Sequence, residues 1–478
     1  VVSGDREDHR VLSEHADRTS SPRSALMAAC LAQAFIVMNN FSVVVILPQL
    51  QSELGLELAD ATWAINAYTL MFGGFVLLGG RAADLWDRKW VFVCGVSLFA
   101  AASLLCAAAP APVVLLIARA VQGLGAALAT PAGMALLTSE FPAGPARRAA
   151  LATWIAVGAG AGSVGVLMGG LLAEVWPWQV VFLINAPFGA AVALLAACRL
   201  GANPGPARRR VDVRGAVVVT AGLLCLVYAV LEGRQVGWAL PGTYVPGCVA
   251  VALLVCFPLL ERRHPAPLVP LGLFRLKTLA AANAAMLALA GVPVVIIYLV
   301  TFYVQAVLRF DSLQTGLAFV PGTLAAALGS LASRRLMAVL GIRTVLLSSL
   351  TLVAVAVALL NRTGSGDYLT VILPSVTLMF FGTTCAAVSL QLLSVTEISR
   401  AEFGLGSGLI AATQQVGAAL SLALLASLVV DAKVTEVGTD PAAELTRLHP
   451  AFWGVVVLAI VAFTLVAGIL RTRSSDEA

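Results

Sequence analysis

A chain of 478 residues that is 60% hydrophobic and only 12% charged, with a mean hydropathy of +0.94, cannot coat an apolar core with a polar shell. Soluble enzymes, nucleic-acid binders and disordered proteins are excluded, and a lipid bilayer becomes the expected solvent. The net charge of +5 comes from 27 Arg and 3 Lys against 25 acidic residues, and its distribution says more than its sum.

Residues 1–24 are polar, mixed in charge, and read as a disordered tail with no cleavable signal behind them. From there the chain alternates apolar stretches of about 20 residues, the length a helix needs to cross the hydrocarbon core, with short polar breaks. Six predicted spans come first: Ala25–Leu50, Ala61–Gly80, Trp90–Ala109, Val113–Thr138, Ala149–Ala173 and Trp178–Leu200. A linker rich in Pro, Gly and Arg, 201–214, precedes two more, Gly215–Leu231 and Tyr244–Leu260. After a second linker, 261–279, come Ala280–Val307, Ser312–Met337, Thr344–Leu360, Tyr368–Leu393, Gly404–Val430 and Phe452–Leu470, then a short tail, 471–478. The expected fold is all-α and polytopic, with 14 spans. Six-helix bundles at 25–200 and 280–470 flank two inserted helices at 215–260.

The basic residues fix an orientation. With the N-terminus inside, 24 of the 30 Lys and Arg fall in cytoplasmic segments and five in external ones, and Arg119 lies within a span. Both termini are therefore expected on the cytoplasmic side of a bacterial inner cell membrane. The eight cysteines form no CxxC pair and lie mostly in apolar runs, so they read as small buried hydrophobes. The four histidines avoid the apolar stretches, so neither a metal site nor a cofactor is expected. Trp176, Trp178 and Trp238 sit at span ends and read as interfacial belt residues.

Five stretches carry a resemblance. Gly80-Arg81-Ala82-Ala83-Asp84-Leu85-Trp86-Asp87-Arg88-Lys89, between the second and third spans, resembles the loop signature of the major facilitator superfamily. There, Asp84 is expected to cap a helix and to pair with Arg88 across a moving interface, while Asp87 replaces the usual turn glycine before the basic pair. The fourth span carries Arg119-Ala120-Val121-Gln122-Gly123, which matches a second signature, and an Arg at that depth must find partners inside the bundle. The fifth span, with Gly158, Gly162, Gly165, Gly169 and Gly170, resembles the antiporter signature, with Val166 in place of its proline; small residues at this spacing let helices approach and slide. Val181-Phe182-Leu183-Ile184-Asn185-Ala186-Pro187-Phe188-Gly189 and Thr413-Gln414-Gln415-Val416-Gly417 look like the fourteen-helix drug:proton antiporter branch.

One departure matters most. In that branch the first helix carries a proton-binding aspartate about nine residues before Leu-Pro, and here that place is Asn39, followed by Asn40. An amide cannot titrate. None of the 25 acidic residues falls well inside a span; Glu174, Asp212, Glu232 and Glu261 sit at span edges. Glu232 and Asp84 are the remaining candidates for proton coupling. Arg119 then either lacks a counter-charge, leaving a positive cavity that prefers an acidic or neutral substrate, or is satisfied by Asn39, Asn40 and backbone carbonyls.

Further candidates to touch substrate are Trp63, Asn66, Trp154, Tyr298, Tyr303, Gln305, Gln414 and Gln415, with Tyr68 and Asn283 beside them. The resemblance implies a monomeric exporter of small amphipathic organic molecules (a drug, antibiotic or secondary metabolite), working by alternating access with proton antiport. The alternative is an exporter or facilitator of a lipid or acidic metabolite without coupling at the first helix. No phosphate-binding loop of an ATP-driven pump occurs, and no cluster of catalytic groups marks an enzyme.

Overall fold

Ile46 breaks the first span in two. Helix α1 (Pro22–Val45) stops there, and α2 (Leu47–Leu54) restarts with Pro48 in its first turn, where a missing N–H costs nothing. Gly55, at φ +63°, closes α2 in the left-handed conformation that glycine adopts without penalty. The computed structural model describes residues 21–55, 58–142, 144–202, 212–235, 240–264, 267, 269, 271–362, 368–395, 403–429 and 441–476.

The remaining helices follow the expected order. They are α3 (Leu58–Leu85), α4 (Arg88–Ala107), α5 (Pro112–Glu140), α6 (Pro145–Val175), and α7 (Gln179–Leu183) with α8 (Asn185–Arg199) as the sixth span. The inserted pair is α9 (Val213–Gln235) and α10 (Pro241–Arg263). The second half comprises α11 (Lys277–Leu289) with α12 (Gly291–Ala306), α13 (Ser312–Leu340), α14 (Ile342–Leu360), α15 (Leu373–Val395), α16 (Phe403–Val429) and α17 (Pro441–Asp476). Among the described residues 13 helical stretches are long and apolar enough to cross a membrane, and α6 completes a fourteen-helix polytopic fold. Several helices outrun their apolar segments: α17 begins at Pro441, well before Phe452, because helical hydrogen bonding continues into the polar interface.

The helices assemble as two bundles. In the first, α3 and α4 both pack along α5, and α1 packs along α6; in the second, α13 and α14 flank α15 while α11 and α12 lie against α16 and α17. Two seams join them, α3 against α16 and α6 against α13. Gly170 of α6 sits so close to Gly316 of α13 that a Cβ built on Gly316 would lie 3.3 Å from the Gly170 Cα. The inserted α9 covers the other seam: Leu223, Val227 and Leu231 pack with Leu70 of α3 and Ala419 and Ala423 of α16. Helix α10 packs mainly on α9, and its outward face carries Val245, Val249, Val251, Val255 and Leu259 toward lipid.

All eight cysteines are unpaired. Only Cys106 and Cys385 are buried, whereas Cys94, Cys198 and Cys248 are exposed. The expectation of burial is thus corrected for these three, which lie on the outward faces of α4, α8 and α10. Trp178 corrects a second expectation. It is 1% exposed, stacks edge-on against Phe182, and donates its indole N–H to the Glu53 carboxylate at 2.9 Å. A buried tryptophan needs such an acceptor, and the end of α2 supplies it.

Candidate functional site

Arg119 is fully buried on α5, seven residues from its start. Its Nε donates to the Ala64 carbonyl of α3 at 2.6 Å, and its Nη1 donates to Asn39 Oδ1 of α1 at 3.1 Å and to Gln122 Oε1 one turn along α5. Gln122 passes the network on, donating from Nε2 to Ser103 Oγ at 2.7 Å, and Ser103 donates to the Phe99 carbonyl at 2.7 Å. The guanidinium also lies over the Tyr68 ring, 4.5 Å from its centroid, with Phe182 at 5.9 Å. A charge at this depth costs about 3 kcal/mol or more unless solvated, and here three neutral acceptors and two ring faces replace water.

Of the partners expected for Arg119, Asn39 and a backbone carbonyl accept from it, whereas the other side-chain acceptor is Gln122 and not Asn40. Asn40 is one residue on, about 100° around the helix, and its Oδ1 is buried without a partner. Among the described residues, the titratable groups beside Arg119 are Cys106 and Tyr68, neither of them a carboxylate. Two donors remain unmet, Arg119 Nη2 and Asn39 Nδ2.

Helix approach at this site depends on missing Cβ atoms. A Cβ on Gly123 would strike the Tyr68 carbonyl of α3, so glycine there lets α5 lie close enough for Arg119 to reach Ala64. The fifth-span glycines act likewise on α1. A Cβ on Gly165 would lie 2.8 Å from the Met38 Cα and one on Gly169 would lie 2.9 Å from the Ser42 Cα, while Gly158 and Gly162 face Gln33 and Phe41. Ser42 fastens the pair by donating to the Gly165 carbonyl at 2.7 Å.

At the loop between α3 and α4, Asp84 lies within the last turn of α3, with its side chain outside the described residues. The cap of α4 is Asp87, whose carboxylate accepts from the Lys89 N–H at 2.9 Å. The backbone at Asp87 is extended (φ −64°, ψ 116°), so this turn does not require glycine. Lys89 reaches across to the Leu200 carbonyl at 2.7 Å, tying the loop to the end of α8. Gly80 is half-buried near the end of α3, and Arg88 opens α4.

The other candidates do not gather around Arg119. Trp63 packs in the cluster joining α3 to α9, 6.4 Å from the Tyr228 ring. Asn66 is fully buried with neither amide atom partnered. Tyr298 is 5% exposed, its hydroxyl unpartnered, and lines a small crevice with Val44, Leu47, Pro48, Gln51, Thr301 and Phe302 where α12 meets the first span. Tyr303 is buried one turn further, and Gln305 is half-buried. Gln415 lies in the α3–α16 seam beside Gly73, with Gln414 half-buried next to it. Thr413 of the same turn donates to Asn283 of α11 at 2.8 Å. Trp154 and Glu232 are half-buried on α6 and α9. Ser103 and Phe182 were missed as partners of the arginine network; a lone serine in an apolar span was the available signal.

The sequence matches the family model described as Major Facilitator Superfamily over residues 29–422. The puromycin resistance protein pur8 of Streptomyces alboniger is 34% identical over 473 residues, 95% of this chain and 92% of that protein. The cephamycin export protein CmcT of Amycolatopsis lactamdurans is 34% identical over 470 residues, 94% of this chain and 93% of that protein. Among solved structures, a bacterial homologue of the human lysosomal transporter Spinster, inward-facing and unoccupied, superposes with a TM-score of 0.67 at 15% identity, covering 95% of this chain and 98% of that one.

Proposed function

The chain belongs to the Major Facilitator Superfamily, and from that membership we propose that it is a secondary transporter exporting small amphipathic organic molecules, antibiotics included, by alternating access. The observation that carries this is whole-length similarity to one resistance protein and one export protein, on a fold of two bundles that meet at two seams. Rocking of such halves about a midplane site exchanges access between the two faces. The arginine-rich face, where α1 begins, is taken as cytoplasmic in an inner cell membrane, and the active unit as one chain. The loop holding Asp84, Arg88 and Lys89 latches one state, and the glycine face of α6 slides on α1.

Proton antiport is the expectation from the resemblance, and it then runs through Asp84 or Glu232. A second reading, transport without proton coupling at the first helix, is favoured by one observation: Arg119 is held by Asn39, which has no titrating proton. Transport in inverted vesicles, with a proton gradient imposed and then collapsed by an ionophore, separates the two. Loss of transport supports antiport and sends mutagenesis to Glu232 and Asp84, whereas continued movement down the substrate's own gradient supports a facilitator.

A further inference from the structure

Two unmet donors sit on adjacent, fully enclosed side chains. Arg119 is 0% and Asn39 1% exposed, and Nη1 of one holds Oδ1 of the other. Each nonetheless leaves a nitrogen unpartnered, Nη2 on the guanidinium and Nδ2 on the amide. Buried donors are almost always paired, so two together mark a place for an acceptor. Exchanging the amide atoms of Asn39 would not remove the mismatch, because Arg119 would then face an N–H2 donor where it now finds oxygen. The charge is also unanswered. Among the described residues, every hydrogen-bond acceptor on Arg119 is neutral. A buried cation with two spare N–H groups fits a charged oxygen, which accepts from both and neutralises the site.

We infer that Arg119 Nη2 and Asn39 Nδ2 receive an anionic oxygen of the transported molecule, a carboxylate or its chemical equivalent, so that this chain prefers acidic amphiphiles to cationic ones. The inference rests on the exporter reading above and deepens it. An aspartate at residue 39 would remove the amide donor, pair with the guanidinium itself and reverse the preference, so the asparagine is the specificity-determining residue.

The test uses the purified full chain in liposomes and three dansyl-labelled undecyl amphiphiles differing only in the head group: a carboxylate, its methyl ester and a trimethylammonium. The wild type is expected to move the carboxylate roughly tenfold or more faster than the ammonium, the margin of one charge-assisted hydrogen bond. In Asn39→Asp the order inverts. Should that variant aggregate on size exclusion, Asn39→Leu, which removes both the amide donor and the oxygen that accepts from Arg119 without adding charge, is expected to lower the ratio of carboxylate to ammonium transport about tenfold. Equal or faster movement of the ammonium by the wild type overturns the inference while leaving the exporter reading intact. Carboxylate preference that survives Asn39→Leu unchanged overturns the role of Asn39. Movement of none of the three defeats the exporter reading, and the inference with it.

Discussion

Arg119 and Asn39, 80 positions apart in the chain, share a 3.1 Å hydrogen bond that joins the fourth span to the first in the interior of the first bundle. The amide offers the guanidinium an oxygen but no negative charge. Asn39→Asp would place a titratable carboxylate in that contact, where the amide has no proton to exchange. The expected outcome is transport that gains dependence on an imposed proton gradient, read as the ratio of rates with and without the gradient in vesicles. A ratio unchanged from the wild type counts against a coupling role for this position.

Gln122 holds the centre of the network, accepting from Arg119 and donating to Ser103. Gln122→Leu leaves both partners short of a hydrogen bond in an apolar interior, and is expected to cost about 1–3 kcal/mol. The loss is read as a fall in the thermal midpoint of the detergent-purified protein. Gln122→Glu, which retains the acceptor and adds a counter-charge, is expected to recover most of it.

The spans were legible in the sequence because apolar length is a direct signature of a bilayer solvent, and Arg119 stood out as a cation well away from the span ends. Its partners did not, since they depend on how helices rotate against each other. The oxygen that meets Arg119 Nε is a backbone carbonyl, at Ala64, which no side-chain pattern reports. Trp63 and Trp178 show the same limit. Both lie near span ends, yet one packs toward the inserted α9 and the other turns inward to Glu53. The cap of α4 was displaced for a different reason: Asp84 and Asp87 are three residues apart, and helix α3 runs on through Leu85 before the chain turns.

The glycine face of α6 gives a paired prediction. Gly165→Val drives a side chain into the Met38 backbone and is expected to cost about 1–3 kcal/mol of overpacking and to reduce transport severely. Gly160, on the same helix, has nothing within 4 Å of a built Cβ, so Gly160→Ala is expected to leave transport unchanged and, if anything, to raise the thermal midpoint. Equal tolerance at both positions contradicts close approach of α6 to α1.

The seam between α3 and α16 supplies a mechanical test. A Cβ built on Gly408 would lie 2.9 Å from Leu77 Cδ2. The double variant Leu77→Cys with Gly408→Cys is expected to cross-link under a short thiol-reactive linker and to lose transport, with recovery on cleavage of the linker. Either single variant treated in the same way should retain its activity.

The most direct measurement of the whole account is uptake of the three dansyl amphiphiles into inverted vesicles carrying the Leu77→Cys, Gly408→Cys double variant, with no ATP present, before and after cross-linking that seam. The account predicts uptake above vesicles lacking the chain, fastest for the carboxylate and abolished while the linker is in place. Uptake equal to that of chain-free vesicles, or undiminished by the cross-link, would contradict transport by alternating access.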